Sequence, residues 1–135
     1  MRYLTSDIIF TAFSSPIYDG VLVVDDEGRI VDLQEDKQEI DSANLECFRG
    51  ALCPGFINTH CHLELSHLQG ELASKIGLPH FINSIGQIRK ASRRRKDDAL
   101  KLADSQMYNN GIVAVADISN TADSFSTKAN SAIHY

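Results

Sequence analysis

Over the first fifty residues the apolar positions come in short runs separated by turn residues; after residue 78 they take a helical period. Ile8, Ile9 and Phe10 form a run of β-formers, and Ser14-Ser15-Pro16 closes it. Val21, Leu22, Val23 and Val24 follow Gly20 as a second, strongly β-branched run. The turn signal Asp25-Asp26-Glu27-Gly28 comes next, then the alternating Arg29-Ile30-Val31-Asp32-Leu33. Residues 20–33 are therefore expected to form a β-hairpin. A polar stretch over 34–44 leads to another short strand at 51–53. Three or four strands with one apolar face make a poor unit alone and require a partner sheet.

The second half reads differently. Phe81, Ile82, Ile85 and Ile88 fall at i, i+1, i+4 and i+7, predicting a helix from Leu78 to about Lys90 with Pro79 in its first turn. Ala99, Leu100, Ala103 and Met107 form the stripe of a second helix over 97–110, with Asp97 and Asp98 in its first turn and Gly111 as its stop. Residues 111–117, Gly-Ile-Val-Ala-Val-Ala-Asp, read as a strand buried on both faces, as in parallel sheets under helices. A loop at 119–121, a short helical segment to about Lys128 and the start of a further strand at 131–135 complete the pattern. This is a parallel α/β rhythm broken at its third strand. Closing such a sheet in isolation requires a homo-oligomer, a complementing chain or an exposed edge, so the 135 residues are expected to be the N-terminal part of something larger.

Composition narrows the class of function. With 13 basic against 18 acidic residues the net charge is −5 and the pI near 5.4, which disfavours nucleic acid and anionic membranes as partners. No apolar run approaches the ~20 residues of a membrane span, and polar residues break the N-terminus where a secretory signal would be apolar. Cys47, Cys53 and Cys61 are odd in number and lack CxxC spacing, so a disulfide framework is not expected. The expectation is a reduced, cytoplasmic enzyme or enzyme piece. The run Arg93-Arg94-Arg95-Lys96 has a phosphate-contact reading, but Asp97-Asp98 directly after it favours a solvated helix junction.

The chemistry concentrates in Pro54-Gly-Phe-Ile-Asn-Thr-His60-Cys-His62-Leu-Glu64-Leu-Ser66. In an extended strand His60, His62 and Glu64 share one side and Cys61 takes the other. Two imidazoles on one side of a strand end can share a metal ion, each through one ring nitrogen. Glu64 has two readings: a carboxylate that hydrogen-bonds an amino or ring N–H group of a substrate, or a carboxylate at the start of a loop that pairs with an arginine. Cys61 reads as a small packed hydrophobe and His67 as a loop residue. Asp117 ends its strand near the same place, where capping or bonding Ser119 and Thr121 in a turn is its simplest duty.

This thirteen-residue run resembles the first-strand motif of the amidohydrolase superfamily, in its cytosine deaminase, guanine deaminase and chlorohydrolase branch. The resemblance extends over nearly the whole chain. It takes in the turn at Asp26-Glu27-Gly28-Arg29-Ile30 and the strand at 111–117, which looks like the second barrel strand. It implies an α/β fold: the N-terminal part of a (β/α)₈ TIM-barrel hydrolase with a small β-sandwich subdomain, the barrel incomplete in this chain. Residues 1–53 would be the β-strand segment of that sandwich and residues 54–135 the first two to three β/α units.

By the same resemblance His60 and His62 are metal ligands for a divalent ion, zinc ahead of iron. The other ligands and the acid/base residues would come from later strands, and no catalytic residue falls in this segment. His134 matches no ligand position. The implied reaction is hydrolysis of a non-peptide C–N bond, deamination of a purine-like or other heterocyclic small molecule by metal-activated hydroxide, with a carboxylic acid carrying the proton. The continuation Leu-Glu-Leu-Ser leans towards adenine-type nucleosides. Chlorohydrolase or cyclic amidohydrolase activity is the alternative. A non-catalytic piece associating through unpaired strands is a further one. Residues 1–135 alone are expected to be inactive.

Overall fold

A computed structural model of the chain describes residues 1–37, 40–72, 75, 77–88 and 91–135, with side chains at all of these except 87 and 88. It divides into two units, Met1–Pro54 and Gly55–Tyr135. Part of the polar stretch, Gln38 and Glu39, and the expected helix end at Lys90 lie outside the described residues.

The first unit is built of strands, with a 3₁₀ turn at Ser42–Asn44. It comprises β1 (Arg2–Thr5), β2 (Ile8–Ile9), β3 (Ile17–Tyr18), β4 (Val21–Val24), β5 (Ile30–Gln34), β6 (Leu45–Cys47) and β7 (Ala51–Leu52). The partner sheet that the hairpin requires is made by the same segment: β5-β4-β1-β6 form one sheet and β3-β2-β7 the other. The hairpin β4–β5 turns where Gly28 takes a φ of 83°. The Asp25 carboxylate accepts from the Glu27 and Arg29 backbone N–H groups at 3.1 and 2.8 Å. Val31 is an extra residue opposite the Val23–Val24 step, a bulge in the ladder.

Strands β1 and β6 carry no clean alternation. β1 is placed by antiparallel pairing with β4, Leu4 beside Leu22, and β6 by parallel pairing with β1, Leu4 beside Glu46 and Thr5 beside Cys47. Pattern marks such strands weakly because partners, more than propensity, decide them. Residues of both sheets, Ile9, Leu22, Ile30, Leu33 and Leu52, line an apolar groove of about 230 Å³ together with Phe10 and Phe13.

The second unit contains β8 (Phe56–Cys61), a 3₁₀ helix at Leu63–Leu68, α1 (Leu78–Ile88), α2 (Arg93–Asn109), β9 (Ile112–Asp117) and α3 (Phe125–Ala129). β8 and β9 pair in parallel. His134 bridges to the other edge of β9, donating its N–H to the Val113 carbonyl at 2.9 Å and accepting from Val115 N–H at 2.8 Å. Of the strand expected at 131–135 the structure shows this single bridge. α2 packs on the 3₁₀ helix, and Leu63, Leu68, Leu100, Val115 and Ile133 are buried, each contributing about 1.5–3 kcal/mol.

Two expectations are corrected. α2 begins at Arg93, not at 97, because Ser92 caps it: the Ser92 hydroxyl accepts from Arg95 N–H at 3.3 Å. The basic run is therefore the first helical turn, and Asp97 and Asp98 lie one turn further in, each 3.9 Å from the arginine four residues before it. β9 is not buried on both faces, since Val113 is 46% exposed.

The Pro-Gly that opens β8 has a packing reason. A Cβ on Gly55 would lie 2.3 Å from Val113 Cγ1 on β9. Gly55→Ala is expected to destabilise the protein by about 1–3 kcal/mol through overpacking, read as a lower urea midpoint; an unchanged midpoint would show that Val113 yields freely.

Among the described residues no helix is long and apolar enough to cross a membrane. Cys47, Cys53 and Cys61 are free thiols.

Candidate metal site

β8 ends before the alternation that would align three side chains is complete. Its ladder to β9 slips between Asn58 and Cys61, three steps on β8 facing two on β9 from Val115 to Asp117. The Asn58 side-chain oxygen accepts from His60 N–H at 3.2 Å inside this bulge. Bulges of this kind re-aim side chains beside sites. The strand stops at Cys61, and His62, at φ −129° and ψ 69°, turns the chain into the 3₁₀ helix. His60 and His62 remain together and exposed, their ring centres 5.0 Å apart and their planes at 79°. Glu64, carried by the helix instead of the strand, leaves them.

His62 is fixed by its second nitrogen. Nδ1 stands 2.9 Å from the Ile118 carbonyl, which can only accept, so Nδ1 holds the proton and Nε2 presents its lone pair. That is the arrangement of a metal-binding imidazole, whose remote N–H bonds a carbonyl or carboxylate. Two imidazoles sharing a tetrahedral ion at metal–nitrogen distances of ~2.0–2.1 Å have ring centres roughly 5 Å apart. The pair fits a zinc-like ion in donor type and spacing. Among the described residues no third His, Cys, Asp or Glu joins it.

The chain around the pair is clasped to the loop after β9. Ile118 N–H donates to the Cys61 carbonyl at 2.8 Å. Leu63 N–H donates to Asp117 Oδ1 at 2.7 Å. Asp117 Oδ2 accepts from the Ser119 hydroxyl at 2.8 Å and from the Lys128 ammonium. The Asp117 side chain is 1% exposed. Burial alone would raise its pKa, but the Leu63 N–H, Lys128 and Ser119 outweigh it and hold the carboxyl below its ordinary value. Of the two expected partners Ser119 bonds Asp117, while Thr121 turns to Glu64; Leu63 and Lys128 are the additions.

Glu64 is 3% exposed. Its oxygens accept from Asn120 N–H at 3.0 Å, Asn120 Nδ2 at 2.9 Å, Thr121 N–H at 2.7 Å and the Thr121 hydroxyl at 2.8 Å. Burial opposes the charge, and these four donors overcome it, bringing the pKa down to about 2. Asn120 and Thr121 carry no pattern that marks them in sequence, since they lie 56 and 57 residues from Glu64.

Burial and the Asp117 carboxylate push the Cys61 thiol up, in keeping with a packed, unreactive cysteine. His67 is buried in the 3₁₀ helix instead of lying in a loop, its Nδ1 3.1 Å from the Glu64 carbonyl. Beside His62 opens an apolar recess of about 310 Å³ lined by Leu65, Leu68, Phe81, Ile85 and Ala103.

No protein-family profile matches this chain, and no curated protein matches its sequence. Solved structures do. An aminofutalosine deaminase of Helicobacter pylori, in complex with methylthio-coformycin, has a TM-score of 0.77 at 19% identity over 98% of this chain and 33% of its own. An adenosine deaminase of Xanthomonas campestris with bound zinc has 0.67 at 17% over 93% and 30%. An atrazine chlorohydrolase of Arthrobacter aurescens, complexed with zinc, has 0.59 at 19% over 87% and 28%. The chain thus spans about a third of the length of the structures it matches. At these identities the likeness is one of fold. These structural neighbours are deaminases and a chlorohydrolase of the amidohydrolase superfamily, the one that the first-strand motif resembles.

Proposed function

We propose that this chain supplies the first part of a metal-dependent hydrolase of non-peptide C–N bonds, with a deaminase of a purine-like or other heterocyclic amine as the leading form. The unit Met1–Pro54 would contribute strands to a small β-sandwich, and Gly55–Tyr135 would open a (β/α)₈ barrel. One observation carries the reading: His60 and His62 stand 5.0 Å apart at the end of a parallel strand, and His62 Nδ1 is committed to a backbone carbonyl. Both imidazoles then offer a lone pair to one ion, and the remaining ligands and the acid/base groups would come from sequence beyond these residues.

When bound, a divalent ion, zinc ahead of iron, supplies the Lewis acidity that makes a water nucleophilic near neutral pH. The residues present hold and orient. His60 and His62 fix two positions around the ion. The recess beside His62 lies near the lower end of the about 300–1,000 Å³ typical of small-molecule sites, and its apolar walls suit the face of a flat heterocycle. Glu64 is the candidate substrate-side carboxylate. Three of these donors reach Oε2 and one, Asn120 Nδ2, reaches Oε1, so a substrate N–H would compete with Asn120 and Thr121 for the carboxylate. The bonding pattern therefore supports a role for Glu64 in holding the 118–121 loop beside the metal pair.

The test is turnover by the whole protein, loaded with zinc, on aminopurines and on chlorinated heterocycles. Ammonia release from the first supports deamination. Chloride release from the second would select the chlorohydrolase alternative, which the likeness to an atrazine chlorohydrolase keeps in view. Release of neither would end the proposal for these substrate classes. Residues 1–135 alone, supplied with zinc, are expected to release no ammonia, because two imidazoles without further ligands hold the ion weakly. Robust turnover by that polypeptide would refute the incomplete-site reading.

A further inference from the structure

We propose that Asp117 is a positioning residue for His62. The inference rests on the reading of His60 and His62 as metal ligands and adds a residue of β9 to that site. A metal-binding imidazole must keep its proton on the remote nitrogen, and the group that accepts that proton's hydrogen bond decides the tautomer and the ring direction. For His62 that group is the carbonyl of Ile118, the residue directly after Asp117.

The Asp117 carboxylate holds one side of this contact, and the backbone of Ile118 holds the other. Asp117 Oδ1 takes Leu63 N–H at 2.7 Å, fixing the peptide that leaves His62. Ile118 N–H on the Cys61 carbonyl, at 2.8 Å, fixes the peptide that enters it. The carboxylate itself is held in turn: Lys128 and the Ser119 hydroxyl occupy Oδ2, and the Lys128 ammonium lies 5.7 and 5.6 Å from the ring centres of Phe125 and Tyr135. Three hydrogen bonds between residues 61–63 and 117–118 thus leave the His62 ring one partner and one orientation. Loss of the carboxylate frees Leu63 N–H and leaves the half-buried Lys128 ammonium without its counter-charge, so of these contacts the backbone bond from Ile118 to Cys61 remains to hold the Ile118 carbonyl against Nδ1.

The test separates positioning from general stability. In the whole protein, Asp117→Ala is expected to weaken zinc binding by about 10–100-fold, the usual cost of losing a group that orients a ligand, measured by chelator competition. In the zinc-free protein, ¹⁵N NMR of the His62 ring should pass from a single Nδ1–H tautomer to a mixture. Ser92→Ala is the control. The Ser92 hydroxyl caps α2 by accepting from Arg95 N–H at 3.3 Å, so its loss should lower thermal stability while His62 stays Nδ1–H and zinc affinity stays parental.

A folded Asp117→Ala protein with parental affinity and an unmixed tautomer overturns the proposal. Should that variant not fold, Asp117→Asn carries the test. Its amide turns a donor towards Lys128 and Ser119, so about tenfold weaker zinc binding with mixed tautomers is expected, and parental values overturn the proposal. If His62→Ala binds zinc as tightly as the parent, the metal reading is what fails, and the tautomer in the zinc-free protein still judges Asp117 by itself.

Discussion

Replacing His60 or His62 by alanine is expected to strip the whole protein of its metal and lower hydrolytic turnover by about 10³-fold or more, since a bound ion would be what lowers the pKa of water towards ~7. Each variant removes one of two imidazoles whose rings stand 5.0 Å apart. Neither should cost much stability, because both side chains are exposed. The two effects therefore separate in the data: metal content by elemental analysis and ammonia release should fall while the thermal midpoint of the metal-free protein stays near the parent's. Undiminished metal in both variants would remove the basis for reading this chain as part of a metalloenzyme.

The second large effect is expected at Glu64, with the opposite signature. Glu64→Ala leaves the N–H groups of Asn120 and Thr121 facing a hole where a buried carboxylate stood, and breaking a buried charged network from one side costs on the order of 3–5 kcal/mol. Glu64→Gln keeps one acceptor oxygen but turns an NH₂ group towards donors, so about 1–3 kcal/mol is expected. Both are read from chemical unfolding.

Acidity should mimic the substitution. The Glu64 carboxyl is brought from its ordinary 4.5 to about 2. Its contribution is thus complete above pH 4.5 and is lost as pH falls towards 2, with an upper value on the order of 3 kcal/mol. A Glu64→Gln protein with parental stability and a raised KM would favour direct contact with substrate over the loop-holding role.

Local signals carried some of this structure and long-range ones the rest. The hairpin at 20–33 is announced by a β-branched run and a turn with glycine, and it forms with Gly28 at positive φ. The stop of α2 is equally local: Gly111 takes a φ of 81° and donates its N–H to the Tyr108 carbonyl. The start of α2 is hidden because three arginines oppose the helix dipole, and a lone serine cap with two i,i+4 carboxylates compensates. β1 and β6 are invisible to pattern because neighbouring strands support them, β4 beside β1 and β1 beside β6.

At the site, the histidine pair is legible from its spacing, and its company is not. A strict two-residue alternation places Glu64 with His60 and His62, but a bulge and a strand end intervene. The partners of Glu64 lie in a loop more than fifty residues away; Asp117 has Ser119 close by, but its Leu63 N–H is a backbone group 54 residues away, and no local period encodes these long-range bonds.

The bond from His62 to Ile118 spans 56 residues of sequence. That separation gives the site a place in time as well as in space. Closing a long parallel crossover is slow relative to making a helix, because the loop entropy is lost before the strand contacts form. Until α1, α2 and β9 are in place, the two nitrogens of His62 are interchangeable and the His-Cys-His segment is an ordinary flexible peptide. Nothing in the tripeptide itself chooses the metal-binding tautomer. Affinity for the ion is thus acquired late in folding, and an ion offered to the unfolded or nascent chain should meet only the weak binding of free imidazoles.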